Sequence, residues 1–492
     1  MTSETTLSGK DLLNAALKAF KARDRDQAAA LLGKLDADNP PLGDSWSAVS
    51  RLADTLGEYT LGMSAIRRHV AASPHDVGRR LEYADFLIRN GRVEGAMEHT
   101  RAFLPHTKPD ARLSLLIGSC RAQLGQAELA LEALRECLAL KPSPAEAGAA
   151  WLAISDLKTF AAGDADIAAM EGLRNDTTPG APSTLLYALA KAYDDVGQID
   201  AAFAAYAQGA EQARLQRPFS KEAYRSFVDA VVTDFTPEML ARLPAGGLDS
   251  DRPIFVLGLP RSGTTLVEQI LVSHKGVMNG GELGMFNVAT MAMSGYSPAE
   301  IEQFAARPDA GAAFAAMGRA YLHLLEERFG PDGRVVDKTL SHTRLVGLIR
   351  HIFPKARFIW LRRDPGDTAL SCFRSHFAQG VPWSWSLSDI GRHFADEDRL
   401  YEHWTRLFPD AILTVPYEAL VADTDAWIGR ILDHCGLPFE PQVRHFNLTQ
   451  RAVTTTSGAQ VRQPIYNRSI GGWKRYADHM GPFFEAYGAP AT

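Results

Sequence analysis

The sequence predicts two architectures in tandem: an all-α solenoid over residues 9–215, then, past a helical connector over 216–249, an α/β domain over 250–492 with a mostly parallel sheet. Three observations carry this expectation. Marks of one helical pair return every 34 residues through the first part of the chain, and two buried strands in the second part each run into a loop and a helix. At 492 residues, moreover, the chain exceeds what one ordinary core holds, so at least two folding units are expected.

The repeat is read from a small or turn-forming residue followed five positions later by Ala or Gly. Gly57, Gly91 and Gly125 are spaced by 34, as are Gly163 and Gly197, and Arg23 lies 34 before Gly57. Their partners are Ala28, Gly62, Ala96, Ala130, Ala168 and Ala202. Pro40, Pro74, Pro109, Pro142 and Pro179 follow near the end of the first five units. A turn glycine between two amphipathic stretches, a small residue where two helices cross and a proline that closes the unit describe a helix–turn–helix. The stretch from Ala127, AELALEALRECLAL, has the apolar spacing of a helix that packs on one side. The pattern resembles the tetratricopeptide repeat over about 9–214. Such arrays either pack against the rest of their chain or curve into a concave face for a peptide or protein partner.

In the second part, Ile254 to Leu257 reads as a short buried strand, GLPRSGTT from Gly258 to Thr265 as its loop, and Leu266 to Ser273 as the following helix. A loop of this kind aims backbone N–H groups at an anion, and the helix N-terminus adds partial positive charge. Gly263 lets the backbone approach the anion, Ser262, Thr264 and Thr265 offer hydroxyl donors, and Arg261 offsets charge. A nucleotide-binding Walker loop requires Lys where Thr264 stands, so the cation has moved to Arg261. On a strand-to-helix turn, this P-loop-like PRSGTT resembles the 5′-phosphosulfate loop of sulfotransferases.

The second strand, Ala356 to Leu361, ends in Arg362, Arg363, Asp364, Pro365 and Gly366, and a helix carrying Ser371 follows. Arg363 and Ser371, eight residues apart, resemble the family's clamp for the nucleotide 3′-phosphate. An Arg fork and a hydroxyl two helical turns along can converge on one dianion. Glu282, 21 residues after Arg261, and Lys338, ending the strand from Val335, match the general base and the transition-state lysine of tyrosylprotein sulfotransferases. The resemblance implies that Glu282, Lys338 and Arg261 are catalytic. Thr454 to Arg462 followed by Gly471 to Lys474 resembles the segment that folds over the nucleotide, which makes Ser457 a contact. Gly472 stands where the family usually has a basic residue, and Lys474 is the candidate substitute. Tyr417, ending the strand Ile412 to Pro416, and a helix from Thr424 to Cys435 complete the sheet and its cover.

The resemblance therefore implies transfer of a sulfuryl group from 3′-phosphoadenylyl sulfate (PAPS), with 3′-phosphoadenosine 5′-phosphate (PAP) as product, to a hydroxyl, possibly a tyrosine of a peptide or protein. A carboxylate can deprotonate that hydroxyl while cations meet the charge on the leaving oxygen, so no metal is expected. His274 is read as the end of the loop helix, and Trp383, Trp385 and Phe377 as either walls for an aromatic acceptor or core. Two other readings stay open: a P-loop kinase with Asp337 as a Walker B lookalike, and a repeat protein that binds partners without turnover.

A balance of 52 basic and 58 acidic side chains argues against a nucleic-acid binder. The apolar runs fall short of the roughly 20 residues a membrane helix needs, so membrane insertion is not expected. Cys120, Cys137, Cys372 and Cys435 form neither a disulfide framework nor a zinc pattern. The start, MTSETTLSGK, has no basic n-region and apolar h-region, and with this cysteine usage the expectation is a cytoplasmic chain.

Overall fold

The structure is a computed structural model that describes residues 7–176, 180–282, 284–377, 380–449 and 470–488. The repeat region forms helices α1 (Gly9–Lys21), α2 (Arg25–Asp38), α3 (Ser45–Thr55), α4 (Tyr59–Ala71), α5 (Val77–Arg89), α6 (Val93–Phe103), α7 (Ala111–Gln123), α8 (Ala127–Ala139), α9 (Pro144–Leu157), α10 (Ala165–Asp176), α11 (Ser183–Asp195) and α12 (Ile199–Gln216). Strands β1 (Pro253–Gly258), β2 (Val277–Asn279), β3 (Arg334–Asp337), β4 (Arg357–Arg362) and β5 (Ile412–Pro416) form one sheet in the order β2-β3-β1-β4-β5.

The six turn marks read from sequence all take left-handed backbone, with φ of 78° at Gly57, 72° at Gly91, 78° at Gly125, 81° at Gly163, 79° at Gly197 and 61° at Arg23. Glycine adopts this region without a Cβ penalty; Arg23 does not. Its guanidinium donates to the Met293 carbonyl at 2.5 Å, a tertiary contact that offsets the local cost. Caps define the starts: Ser143 and Glu146 form a capping box at α9 with Pro144 in its first turn, and Asp24, Asp76 and Asp110 cap α2, α5 and α7.

Ala28, Ala96, Ala130 and Ala202 are fully buried where their helices cross, and a Cβ on Gly62 would come within 2.7 Å of the Phe86 ring. Ala168 departs from the expectation, because it is exposed. The helix before it stops at Leu157, and the longer connection to α10 turns Asp166 and Met170 inward instead. Asp166 is then met by Arg135 at 2.8 Å and Lys158 at 2.7 Å.

The chain packs as two compact units. The first contains Met1–Thr107, Thr233–Phe255 and Lys275–Arg357. Here β3 pairs in parallel with β2 and with the start of β1, in register Pro253↔Val335 and Val277↔Arg334. The helix Ala310–Phe329 lies on the turns of the early repeats: buried Arg328 donates to the Gly57 carbonyl at 2.9 Å and to Asn90 Oδ1 at 2.7 Å, and Glu327 accepts from the Tyr59 N–H at 2.9 Å.

The second unit contains Lys108–Val232, Val256–His274 and Phe358–Thr492. In it β4 and β5 pair in parallel from Phe358↔Ile412 to Arg362↔Pro416. A single apolar cluster joins Tyr187 and Tyr206 of α11 and α12 to Leu370 and Phe373 of the helix Pro365–Phe373 and to Trp385. Buried aromatics of this kind need polar partners for their hydroxyls. Tyr187 donates to the Phe373 carbonyl at 3.1 Å, and Tyr476 to Asp194 at 2.7 Å. Asp194 also takes Arg374 at 2.5 Å. All four cysteines are free and buried, and among the described residues no helix is long and apolar enough to cross a membrane.

Candidate active site

β1 is buried at every position, as a parallel strand covered on both faces must be, and it delivers the chain into the loop. Gly258 has φ 138°, and a Cβ there would meet the Leu361 carbonyl at 2.9 Å. The Ser262 N–H and hydroxyl both donate to the Leu259 carbonyl, at 3.2 and 2.6 Å, and so close the turn. The hydroxyl proton expected for an anion is thus spent inside the loop. Gly263, φ 105°, caps the helix Thr264–Val272, and its missing side chain leaves space for the Tyr417 ring, 2.6 Å from where a Cβ would stand. Thr264 and Thr265 are buried in the first turn, where backbone N–H groups have no partner within the helix.

Arg261 has φ 69°, a left-handed backbone at a residue with a side chain. Such conformations persist only where surrounding contacts over-determine them. Two such contacts come from the second motif. Arg261 Nε donates to Ser371 Oγ at 2.9 Å, and Arg363 Nη1 donates to the Arg261 carbonyl at 3.0 Å. The structure therefore brings Arg261, Arg363 and Ser371 together, with Arg261 in contact with both of the others. Arg363 stacks on the Tyr417 ring at 4.7 Å and faces Asp367 at 4.0 Å, which fixes its fork.

Asp367 is a site residue that sequence reasoning missed. Asp364 and Pro365 start its helix, and Asp364 caps it by accepting the Asp367 N–H at 2.8 Å. Asp367 then accepts the N–H groups of Gly471 at 2.7 Å and Trp473 at 3.0 Å. Burial pushes its carboxyl above the usual range, and those two N–H groups and Arg363 pull it back. Gly366 is glycine because a Cβ would lie 2.8 Å from the Trp473 ring. The signal available in sequence was the second acid in DPGD, one turn into a helix already capped by the first. Gly472 leaves ordinary contact space, 3.8 Å to Asp367 from a built Cβ, and Lys474 is exposed. Ser457 lies outside the described residues. Asp367→Ala strips the partner from two backbone donors, so urea unfolding is expected to show a loss of about 2 kcal/mol with an unchanged m-value. A loss below about 0.5 kcal/mol would show that the C-terminal segment is held by Trp473 packing alone.

In the first unit, the ladder between β2 and β3 continues past both strands: Gly280 N–H donates to Val336 at 2.9 Å, and Lys338 N–H to Gly281 at 2.8 Å. That register sets Glu282 against Lys338, and Lys338 Nζ donates to Glu282 Oε1. Gly280 permits the approach, since a Cβ there would lie 2.4 Å from the Val336 carbonyl. The lysine side chain is 1% exposed and the glutamate 47%, so a buried cation holds a solvent-facing carboxylate. A carboxylate so held can accept a proton from an incoming hydroxyl, and the cation beside it can stabilise developing negative charge.

The remaining candidates settle as structure. His274 Nε2 donates to the Pro438 carbonyl at 3.1 Å. Trp383 and Trp385 are buried in the cluster around Phe373, with Phe377 packed against it, so both tryptophans are core. Asp337 accepts from the Tyr321 hydroxyl at 2.9 Å and from the Thr339 N–H at 3.0 Å.

Residues 253–441 match the sulfotransferase family, and residues 111–144 match the tetratricopeptide repeat. The chain is 32% identical over 379 residues to an uncharacterised protein of Aquifex aeolicus (strain VF5), covering 74% of this chain and 48% of that protein. It is 24% identical over 232 residues to a protein-tyrosine sulfotransferase of Drosophila melanogaster, covering 45% of this chain and 46% of that one. The chain thus spans about half the length of these two relatives. A solved sulfotransferase domain, from the Synechococcus PCC 7002 olefin synthase, is 20% identical, covers 47% of this chain and 90% of that domain, and has a TM-score of 0.35.

Proposed function

We propose that this chain, with its sulfotransferase-family part and its tetratricopeptide repeats, moves a sulfuryl group from PAPS to a hydroxyl, with a tyrosine of a peptide or protein as the favoured acceptor class. Residues 250–492 would then carry the reaction and residues 9–215 the contacts to a protein acceptor or partner. The observation that supports this most is the meeting of Arg261, Arg363 and Ser371 beside a glycine-opened loop at a helix N-terminus. That donor set suits two anionic groups of one nucleotide: the N–H groups of 263–265 and the Arg261 guanidinium for the phosphosulfate, and the Arg363 fork with Ser371 for the 3′-phosphate. Thr264, where a phosphate-binding lysine would stand in a kinase, fits the same reading.

The co-substrate supplies the activated sulfuryl group. Glu282 takes the proton of the acceptor hydroxyl, the oxygen bonds to sulfur, and the bond from sulfur to the 5′-phosphate oxygen breaks. Lys338 and Arg261 meet the negative charge that grows on the leaving oxygen as PAP departs. Pairing with Lys338 holds the Glu282 carboxylate in place until the hydroxyl arrives. Lys474 stands as the substitute for the basic residue absent at Gly472, and Ser457 as a nucleotide contact.

Calorimetry with PAP, adenosine 5′-phosphate and ATP tests the donor. PAP is expected to bind about a hundredfold tighter than adenosine 5′-phosphate, with and without magnesium, because the 3′-phosphate adds charge-assisted hydrogen bonds. Equal affinity for the two, or tight binding of ATP only with magnesium, would replace sulfotransfer with another nucleotide chemistry.

A further inference from the structure

The residue that follows a repeat turn opens the second helix of the pair. In the first repeat that residue is Asp24, which caps α2 by accepting the Gln27 N–H at 3.0 Å. Glu58 holds the same place in the second repeat and makes no cap bond. The carboxylate at the start of α4 comes instead from Glu327 of the helix Ala310–Phe329, whose Oε2 accepts the Tyr59 N–H at 2.9 Å. Glu58 is thereby released toward that helix, where His323 stands four residues before Glu327 on the same face. All of these residues belong to the first unit.

Three ligand atoms converge there. One nitrogen of His323 and one carboxylate oxygen each from Glu58 and Glu327 lie within 4.8 Å of one another, the one such group among the described residues. His323 Nε2 is 3.4 Å from Glu58 Oε2, long for a hydrogen bond. It is the separation of two ligands on one tetrahedral ion, since atoms about 2.1 Å from such an ion stand roughly 3.4 Å apart. The Glu58 side chain is 8% exposed, and its Oε2 has no partner outside this group among the described residues. A carboxylate buried so deeply needs a counter-charge. Arg25 meets only the other oxygen, at 2.5 Å, and divides its charge with Asp26 at 3.0 Å. Each carboxylate is thus fixed by one bond from outside the group, Glu58 by Arg25 and Glu327 by Tyr59, as ligating carboxylates commonly are. His323 is half-exposed, which opens the remaining coordination positions to water.

We propose that Glu58, His323 and Glu327 hold a divalent transition-metal ion, with zinc the favoured one, that clips the second repeat to the helix Ala310–Phe329. Imidazole beside carboxylates suits zinc, whereas calcium and magnesium take oxygen ligands. The role of the ion is structural. Tyr321, two residues before His323, donates to Asp337 Oδ2 at 2.9 Å, so the clipped helix is the one that buttresses the strand end next to Lys338. The site stands or falls independently of the sulfotransfer reading.

The test titrates zinc chloride by calorimetry into the whole chain, free of any affinity tag and stripped of metal with a chelator that is then dialysed away. One site with a dissociation constant on the order of 1 μM is expected, with calcium and magnesium at least about a hundredfold weaker. His323→Gln and Glu327→Gln should each weaken zinc by at least about tenfold. Neither is expected to unfold the chain, because the ring of His323 is half-exposed and a glutamine at 327 can still accept the Tyr59 N–H. Saturating zinc should raise the thermal midpoint of the wild type by at least about 2 °C and leave that of His323→Gln unchanged. Zinc affinity weaker than about 100 μM, affinity that survives either substitution, calcium bound as tightly as zinc, or stabilisation by zinc that persists in His323→Gln overturns the proposal.

Discussion

Glu282→Gln is expected to lower PAPS-dependent turnover by about 10²- to 10⁴-fold, the range that a positioned general base contributes. Glutamine keeps the shape and can still accept a hydrogen bond from Lys338, but it cannot take a proton at neutral pH. PAP affinity should stay within about twofold, because the carboxylate is assigned to the acceptor and not to the nucleotide. Loss of the charge beside buried Lys338 also costs stability. With Glu282 at 47% exposure, solvent limits that cost to about 1 kcal/mol, too little to unfold the chain. Thermal denaturation run beside the kinetics separates the two effects. Turnover within about threefold of wild type would dismiss Glu282 as the base.

Arg363→Ala should weaken PAP binding about 10- to 100-fold while changing the affinity for adenosine 5′-phosphate far less, because the fork is assigned to the 3′-phosphate. Wild type and variant, each titrated with both nucleotides, form a thermodynamic cycle whose coupling energy reports that one contact. Arg363 also donates to the Arg261 carbonyl, so part of the loss will appear with both nucleotides as the loop loosens. Arg363→Lys retains charge without the planar fork and should fall between the two. If the variant preferred PAP as strongly as wild type does, the 3′-phosphate clamp would have to be sought elsewhere.

The repeat turns were legible because left-handed backbone selects glycine, and a 34-residue recurrence of that selection survives drift everywhere else. Strand β5 and the helix Thr424–Cys435 begin and end where hydrophobic run and caps place them. Ala168 departs from the pattern because α10 turns Asp166 and Met170 inward, a choice of face that the small-residue mark does not carry. In the site, Arg261, Arg363 and Ser371 were each visible from local motif. Their mutual contacts were not, since a hydrogen bond across 110 residues leaves no periodicity. Asp367 was hidden for a related reason: its partners are two backbone N–H groups more than 100 residues away, and backbone donors carry no sequence signature. Tyr417 was read as a strand end, whereas its ring lies over Gly263 and under Arg363.

The apolar cluster that joins Tyr187 and Tyr206 to Phe373 and Trp385 bears on how this protein was assembled and how it can be taken apart. Repeat arrays are commonly gained and lost as cassettes, because each pair of helices touches only its neighbours. The late repeats here have given up that independence. Their inward tyrosines are met from the other side by Phe373, on the helix that carries Ser371, and by Trp385, so the two stretches must vary together. A recombination joint placed just after α12 would part residues that share one interior, and a lineage that exchanged its early repeats would still have to inherit these late ones.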